Sequence, residues 1–376
     1  MNKTQTKSNE TAFPESPKNA VQALDSVLVH AASLNASDIH IDPSTDDILV
    51  RLRIDGAMEY AGVLPKKIHE ELIARIKILS GARTDIHAVP QDGRWRAAIG
   101  DSEYNMRVSF MPTYYGENCV IRLLPTKMQG DISFSRLGFT PDHVRMIGSA
   151  LSKPHGLILV TGPTGSGKTT TLRACLVVKS KEPLSIITLE DPVEYEIANT
   201  RQVHIHHQHG VTFASGLRAA LRQDPDVIMV GEIRDNETAK VAVHTALTGH
   251  LVLSTLHTNS ALETIPRLID MGIDRYLIAS TLRLIIAQRL VRTVCHECNA
   301  LGCSFCRNTG YSGRSVIAEA CEIDSEMSAL IGRGEPLDSL TELAISKGFC
   351  PIQNDGMEKV EWGVTTKGEV MRVLDE

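Results

Sequence analysis

The sequence predicts an α/β protein whose larger part is a mainly parallel sheet covered by helices. Between residues 140 and 290, short apolar runs alternate with stretches of helical periodicity. One such run, GLILVT, leads directly into GPTGSGKT at residues 162–169, the pattern of a strand, a glycine-rich loop and the start of a helix. A smaller α/β unit, residues 20–125, precedes this part.

The smaller unit mixes helices and strands. Apolar residues recur three and four positions apart in Val21–Leu34 and Ile68–Leu79, which predicts two helices. The sequences DGAMEY and QDGRW predict turns, and the polar residues 1–19 predict a disordered leader. Four apolar patches predict strands: Ile39–Ile41, Ile48–Ile54, Tyr104–Phe110 and Cys119–Leu124.

The rest of the chain divides by composition. Residues 126–140 contain Gly and Pro and predict a linker, whereas residues 141–290 predict the α/β core. Residues 291–315 hold four cysteines, and residues 316–376 predict a helical C-terminal part. The core strands are expected at Leu157–Val160, Leu184–Leu189, Val227–Val230 and Leu251–Thr255.

The composition argues against several classes of protein. The net charge is −6 and aromatic residues make up 4% of the chain, which disfavours a basic or base-stacking surface for nucleic acid. No run is apolar and long enough to span a bilayer, and the start lacks the apolar stretch of a secretory signal. Eight cysteines without an export signal indicate thiols or metal ligands in a reducing cytoplasm.

The segment GPTGSGKTT predicts a site for a nucleoside triphosphate; the alternative is an ordinary glycine-rich turn. Glycines let backbone N–H groups close around phosphates, and a helix N-terminus favours anions. Lys168 is expected to reach the β and γ phosphates, and Thr169 to hold Mg²⁺. The predicted cofactor-binding residues are Gly162, Pro163, Thr164, Gly165, Ser166, Gly167, Lys168, Thr169 and Thr170.

Two segments place carboxylates after predicted strands, and hydrolysis of a phosphoanhydride needs a carboxylate that positions or activates water. Glu232 follows the run VIMV, with Gly231 where the commoner motor pattern has Asp. Glu190 and Asp191 end the run IITLED. A plain surface carboxylate at 232 and a turn-forming acidic pair at 190–191 are the alternatives.

Cationic candidates lie in the same part of the chain. His250 and His257 flank the predicted strand LVLST, and an imidazole at a strand end can hydrogen-bond a phosphate. Arg218 and Arg222 lie on one face of a predicted helix, and guanidinium groups suit phosphoryl oxygens. Structural histidines and a pair of solvated arginines are the alternatives.

Four ordered segments resemble those of the secretion ATPases that drive type II secretion and type IV pili: GPTGSGKTTT, LEDPVEY, TFASGLRAALRQDPDVIMVGEIRD and TALTGHLVLSTLHTN. The resemblance extends through RLIDMGIDRYLIASTLRLIIAQRLVR and back to SDIHIDP, RLRIDG, QDGR and RVSFMPTYYGE. It covers nearly everything from about residue 20 to the C-terminus. Only polar residues stand where such motors often carry a long N-terminal docking domain, so we expect a short form.

The resemblance implies a PAS-like first domain and a RecA-like motor domain in a homohexameric ring, with ATP between the two domains of a subunit. It implies that Lys168 and Thr169 contact phosphate and Mg²⁺. It makes Glu190 the favoured general base and Glu232 the Walker B carboxylate. His257, with His250 as a further candidate, would read the γ phosphate.

The resemblance also assigns arginines to the catalytic set: Arg218 and Arg222 in the motor domain, and Arg94 and Arg107 in the first domain, which would close onto the nucleotide. It implies Mg²⁺-dependent ATP hydrolysis that powers assembly of a type IV pilus or type II pseudopilus. The partner would be an inner-membrane platform protein, and association with the membrane would be peripheral. A pilus retraction ATPase and a nucleic-acid-translocating RecA-like motor are the alternatives, the latter disfavoured by the acidic charge.

The cysteine-rich segment has the pattern CxxC-x4-CxxC, which predicts a structural zinc site formed by Cys295, Cys298, Cys303 and Cys306. Four uncoordinated thiols or a redox pair are the alternatives, and His296 is a fallback ligand. The assembly branch of the resembling family carries such an element, usually with a longer middle spacer, whereas retraction ATPases lack it. In the histidine run VHIHHQHG, His204 and His206 alternate on one strand face, and we favour an interpretation without metal.

Overall fold

The computed structural model describes residue 17, residues 19–126 and residues 132–375. It divides the chain into two compact units, Met1–Gln129 and Gly130–Glu376. Each contains a sheet and helices, which confirms the predicted mixed α/β class. Most of the expected leader and residues 127–131 of the expected linker lie outside the described residues.

The first unit contains one six-stranded antiparallel sheet in the order β3-β2-β1-β6-β5-β4. Buried and accessible side chains alternate along its strands, and the buried ones pack with the two helices in one apolar core. Its elements are α1 (Ala20–Ser33), β1 (Asp38–Pro43), β2 (Asp47–Ile54), β3 (Ala57–Pro65), α2 (His69–Ser80), β4 (Gln91–Ile99), β5 (Ser102–Thr113) and β6 (Gly116–Pro125).

One predicted turn of this unit is correct and the other is wrong. Asp55 and Gly56 have φ of 50° and 86° and join β2 to β3 as a two-residue hairpin. The sequence QDGRW instead begins β4, paired along its length with β5. Gly93 serves close packing there, because a Cβ on it would lie 2.6 Å from the Cβ of Ser80 at the end of α2.

The second unit is built on a seven-stranded sheet in the order β13-β12-β7-β11-β10-β8-β9. Its elements are α3 (Phe134–Leu137), α4 (Pro141–Leu151), β7 (Gly156–Thr161), α5 (Lys168–Lys179), β8 (Ile186–Glu190), β9 (Thr200–His204), α6 (Phe213–Ala220), β10 (Val227–Val230), α7 (Asn236–Leu247), β11 (Leu251–Leu256), α8 (Thr264–Asp270), α9 (Arg275–Thr281), β12 (Leu282–Val294), β13 (Tyr311–Glu322), α10 (Ser325–Arg333), α11 (Leu337–Ser346), α12 (Ile352–Glu361) and α13 (Lys367–Asp375).

The strands from β12 to β9 are parallel, and only β13 runs antiparallel to its neighbour. Every residue of β7, β8, β10 and β11 is buried, as expected for a parallel sheet covered on both faces. Because these four strands are parallel, their carboxyl ends lie at one edge of the sheet, where the loops that follow them can form a site.

Two long strands in this unit were not expected, and they change the predicted boundaries. β12 crosses the expected end of the core at residue 290, and β13 crosses the expected start of the helical part at residue 316. The helical part begins at Ser325 instead. Leu282–Val294 forms a strand because β7 on one side and β13 on the other satisfy its backbone, while its centre is buried. The short helix α3 lies inside the expected linker.

Candidate active site

The loop between β7 and α5 has the geometry of an anion site. Gly162, Gly165 and Gly167 have φ of 140°, 82° and 87°, a region that a Cβ disfavours. At Gly162 an added Cβ would also lie 2.5 Å from the carbonyl oxygen of Gln288. Among the described residues no side chain caps α5, so the N–H groups of its first turn remain available to a phosphate.

Lys168 is the first residue of α5 and is 9% exposed. Its Nζ donates to the carbonyl oxygens of Gly162 and Pro163, at 2.7 Å and 2.9 Å. Burial lowers the pKa of Lys168 to about 8, and the negative charge of Glu232 opposes this shift. Thr169 follows with an exposed hydroxyl, a position that fits a magnesium ligand.

Glu190 is the last residue of β8 and is buried at the carboxyl edge of the sheet. Its Oε1 accepts hydrogen bonds from Thr188 Oγ1 at 2.5 Å and from Gln202 Nε2 at 2.9 Å. Asp191 is exposed, and its Oδ2 lies 3.5 Å from Nε2 of His207. The acidic pair is thus divided into a buried, oriented carboxylate and an exposed one.

Glu232 lies two residues after β10 at the same edge. One carboxylate oxygen pairs with the guanidinium of Arg234 at 2.6 Å, and the other lies 3.9 Å from His257 Nε2. Partial burial lowers the pKa of His257, and the positive charge of Lys168 acts in the same direction. His257 is therefore neutral at neutral pH. The sequence did not single out Arg234, which lies two residues after Glu232 in EIRD.

The two histidines that flank β11 lie at opposite ends of this strand. His257 directly follows it at the carboxyl edge, whereas His250 precedes it. The carbonyl oxygen of His250 accepts from Gly156 N at the start of β7, and its Nδ1 lies 3.1 Å from the carbonyl oxygen of Thr245. A strand of this length spans about 20 Å. The expectation that His250 also reads the γ phosphate is wrong on position.

Arg218 and Arg222 make their contacts on α6 and its neighbour α7. Arg218 pairs with Glu237 at 2.7 Å, and Arg222 NH1 donates to the carbonyl oxygen of Arg218 at 2.9 Å. Both side chains are accessible, and the segment that carries them leads back to the amino end of β10. A role for them in phosphate chemistry stays a prediction.

Arg94 and Arg107 belong to the first unit. They lie directly opposite each other on β4 and β5, and Arg122 of β6 continues the row. The row places three guanidinium groups on the accessible face of the sheet, since the residues on either side of them along β5 and β6 are buried. Their contact with nucleotide likewise stays a prediction.

β12 contributes two buried polar residues that the sequence did not single out. Gln288 is fully buried; its Nε2 donates to the carbonyl oxygen of Ser166 at 2.7 Å, and its Oε1 accepts from Thr171 Oγ1 at 2.8 Å. It thereby joins the loop between β7 and α5, residues 162–167 (below called the phosphate loop), to α5. Arg289 donates to the carbonyl oxygens of Gln288 and Asn259, the second of which lies two residues after His257.

Glu319 of β13 links the loop after β11 to the C-terminal helices. It is 4% exposed and accepts from the backbone N–H groups of Ala261 at 2.6 Å and Ile352 at 3.0 Å. Burial raises the pKa of Glu319, and these two hydrogen bonds oppose the shift. No motif marks Gln288, Arg289 or Glu319, because their roles depend on which strands lie beside β7.

The four cysteines of the CxxC pairs meet at the tip of the β12–β13 hairpin, with all four Sγ atoms within 4.8 Å of one another. Three Sγ–Sγ distances are 3.7, 3.7 and 3.9 Å. A tetrahedral zinc with Zn–S bonds of about 2.3 Å requires sulfurs about 3.8 Å apart. Backbone N–H groups of Gly302, Cys303 and Gly310 point at the sulfurs, as they do around thiolates. The residues fit a zinc ion.

Among the described residues, the metal cluster consists of the four cysteines and includes none of the histidines considered as ligands. His296 is 71% exposed and lies 3.2 Å from a carboxylate oxygen of Glu297, so the fallback ligand is wrong on position. In the histidine run, the rings of His204 and His206 lie 4.3 Å apart, and those of His206 and His209 lie 5.9 Å apart.

Comparisons with known proteins support the same chemistry. The profile of a family described as "Type II/IV secretion system protein" matches residues 15–372. The chain is 43% identical over 361 residues to the type II secretion system protein HxcR of Pseudomonas aeruginosa, covering 94% of this chain and 77% of that protein. It is 41% identical over 386 residues to the type IV pilus assembly ATPase PilB of Thermus thermophilus, covering 95% and 43%.

A solved structure has a similar fold. The X-ray structure of the ATPase DotB from Legionella pneumophila superposes with a TM-score of 0.75 at 26% sequence identity, covering 97% of this chain and 98% of that one. Within the described part of this chain, no helix has the length and apolar character needed to cross a membrane.

Proposed function

Because the chain belongs to the type II/IV secretion system protein family and is an ATPase, we propose that it is a Mg²⁺-dependent motor that powers assembly of a type IV pilus or a type II secretion pseudopilus. We propose further that it acts as a homohexamer at the inner membrane, bound peripherally through a platform protein. The PAS-like character of the first unit and the RecA-like character of the second belong to this proposal.

The observation that carries the hydrolysis mechanism is the convergence of four side chains at one edge of a parallel sheet: Lys168, Glu190, Glu232 and His257. The loop before α5 supplies N–H groups for the phosphates, and Lys168 and Thr169 would hold the β and γ phosphates and Mg²⁺. Magnesium would neutralise the charge that develops on the phosphoryl oxygens.

In this proposal Glu190 is the general base, because it is buried and oriented by two hydrogen bonds. Glu232 would hold Mg²⁺ through water, and His257, neutral beside it, would hydrogen-bond the γ phosphate. In the family that the sequence resembles, assembly ATPases carry a four-cysteine element and retraction ATPases lack it. The fit of the four cysteines to zinc therefore supports pilus or pseudopilus assembly, and not retraction, as the work that the motor does.

Phosphate release from the purified oligomer tests the mechanism. Lys168→Ala should bind ATP about 100-fold more weakly and abolish turnover, whereas Glu232→Gln should bind ATP and hydrolyse it at least about 100-fold more slowly. Glu335→Gln, at an exposed position outside the site, is the matched control and should retain the wild-type rate. Wild-type turnover in both site variants would contradict the mechanism.

The same assay separates the motor from a nucleic-acid translocase. Single-stranded DNA should leave the ATPase rate unchanged within roughly twofold, because the chain is acidic. Strong stimulation by DNA that disappears with added salt would favour the translocase. Mass photometry in the presence of ATP should find six chains per particle, and a stable monomer under those conditions would contradict the ring.

A further inference from the structure

Arg289 of β12 is a buried cation without an ion-pair partner in the described part of the chain. It is 8% exposed, and its Nε atom is buried without a hydrogen-bond partner among the described residues. Burial lowers the pKa of Arg289, and the negative charges of Glu319 and Glu263 oppose the shift. Both carboxylate oxygens of Glu319 already accept from backbone N–H groups. A buried charge of this kind is unfavourable unless another group compensates it.

The guanidinium joins two parts of the candidate site. Its Nη1 donates to the carbonyl oxygen of Gln288 at 3.1 Å, and its Nη2 donates to the carbonyl oxygen of Asn259 at 3.2 Å. The first of these oxygens lies 2.5 Å from the position that a Cβ on Gly162 would take, so it lies against the start of the phosphate loop. Asn259 follows His257 by two residues in the segment after β11. Arg289 thus fastens the segment that carries His257 to the strand beside the phosphate loop.

The positive charge of Arg289 also acts on the phosphate loop. Burial is the main cause of the lowered pKa of Lys168, the negative charge of Glu232 opposes it, and the charge of Arg289 adds to the lowering. Two like charges in a poorly solvated region destabilise each other in the free protein. A bound triphosphate would bring negative charge near both groups, so its binding would gain from Arg289 as well as from Lys168.

We propose that Arg289 is a positioning residue of the ATPase site, which holds the segment that carries His257 against the phosphate loop and favours the triphosphate through its charge. The inference rests on the proposed function and adds a residue to it. Arg289 acts through its neighbours, because two of its nitrogens donate to backbone carbonyl oxygens and the third, Nε, is buried. Displacement of a positioned group by about 1 Å can slow a reaction by about 100-fold, so loss of Arg289 should affect hydrolysis more than binding.

Calorimetry with a non-hydrolysable ATP analogue and Mg²⁺, together with single-turnover hydrolysis by the full chain, tests the proposal. Arg289→Met removes the charge and should weaken binding by about tenfold and slow hydrolysis by about 100-fold. Arg289→Lys keeps the charge and should bind within about threefold of the wild-type Kd. Its hydrolysis should still be at least about tenfold slower, because an ammonium group does not reproduce the planar fork that holds both carbonyl oxygens.

The pH dependence of ATP affinity provides a readout that a loss of packing would not move. Loss of the Lys168 proton should weaken binding as pH rises through about 8. In Arg289→Met this weakening should begin at a higher pH, because a positive charge that lowers the pKa of Lys168 is absent. In Arg289→Lys it should begin at the wild-type pH.

Arg283→Met is the matched control. Arg283 is also a partly buried arginine of β12 without an ion-pair partner among the described residues, and its Nη1 donates to the carbonyl oxygen of Leu282 at 3.3 Å. It lies about 20 Å from Arg289 along the strand, towards its amino end. This variant should retain the wild-type Kd, rate and pH dependence.

A wild-type rate in Arg289→Lys, or a wild-type Kd or pH dependence in Arg289→Met, would overturn the proposal. The first of these results decides even where the methionine variant does not fold. Equal effects in Arg283→Met would also overturn it. Turnover by the wild-type chain that is lost in Lys168→Ala would leave the proposed function standing in each of these cases, whereas absence of ATP binding by the wild-type chain would overturn both.

Discussion

At the scale of single residues, Lys168 has an environment that differs from that of an ordinary surface lysine. Its ammonium group donates to two carbonyl oxygens of the loop that precedes α5, and the residue itself begins that helix. Burial disfavours the charged form and lowers its pKa to about 8. The group that we propose to bind phosphate is therefore poised to titrate just above neutral pH.

ATP affinity should consequently fall as pH rises through about 8. Below that pH the free protein already carries the charged ammonium group, whereas above it ATP must bind together with a proton. Linkage then limits the loss of affinity to at most about tenfold per pH unit. Calorimetric titrations between pH 7 and pH 9.5 measure this slope.

The control for this prediction is Lys168→Arg, whose guanidinium stays protonated throughout. It should bind ATP with a nearly constant affinity over the same range. A wild-type slope that matches the arginine variant would show that Lys168 does not set the pH dependence.

The two adjacent acidic residues at 190 and 191 have different environments in the structure. Glu190 is buried and oriented by Thr188 and Gln202, and Asp191 is exposed beside His207. Glu190→Gln should lower kcat by about 10²-fold or more while leaving the Kd for ATP within a few-fold. Asp191→Asn should retain kcat within about threefold. Single-turnover measurements give the rate of hydrolysis in each variant. A large loss of rate in Asp191→Asn with none in Glu190→Gln would assign the base to Asp191.

At the scale of elements, β12 supports the phosphate loop more than the sequence suggests. Gln288 joins Ser166 to Thr171, and its carbonyl oxygen closely approaches Gly162. β12 passes beside the loop because it runs parallel to β7 and continues beyond the end of β7. The glycine-rich loop thus rests on a neighbouring strand as well as on its own helix.

Gln288→Ala should lower the free energy of unfolding by about 2–4 kcal/mol, because it leaves a buried hydroxyl and a buried carbonyl oxygen without their partner. It should also weaken ATP binding, since the loop loses its support. Chemical denaturation and calorimetry measure the two effects. Gln353→Ala on the exposed face of α12 is the control, and equal stability of the two variants would contradict a supporting role.

The hairpin tip formed by the four cysteines makes a separate prediction. The purified protein should contain about one zinc ion per chain, and a strong chelator should lower its Tm. Cys298→Ser should lose the zinc, whereas Cys350→Ser, outside the cluster, should retain it. Zinc-free wild-type protein with an unchanged Tm after chelation would contradict the assignment.

Local sequence predicts those elements whose signal lies within one segment. The strand before GPTGSGKT, the helix after it and the Asp55–Gly56 turn all have such signals, and the structure confirms them. QDGRW was misassigned because Gly93 permits packing against Ser80 rather than a turn. β12 and β13 were missed because their strand character depends on pairing between segments distant in sequence.

At the scale of the whole molecule, the candidate site divides in the same way. That Lys168, Glu190, Glu232 and His257 lie at one edge of the sheet could be predicted, because each stands at or beyond the carboxyl end of a recognisable apolar strand. Their roles stay a prediction. Arg234, Gln288 and Glu319 could not be predicted, since their contacts depend on strand order and burial. His250 precedes its strand, whereas the candidate site lies at the carboxyl ends of the parallel strands, so the rule for parallel sheets would have excluded it.

We propose above all that the loop before α5 binds ATP through Lys168. Isothermal titration of the intact protein with a non-hydrolysable ATP analogue and Mg²⁺ tests it most directly. We expect one site per chain and an affinity that falls by about 100-fold in Lys168→Ala, because a charge-assisted contact to phosphate is lost. Absence of binding to the wild-type chain, or equal affinity in the variant, would contradict it.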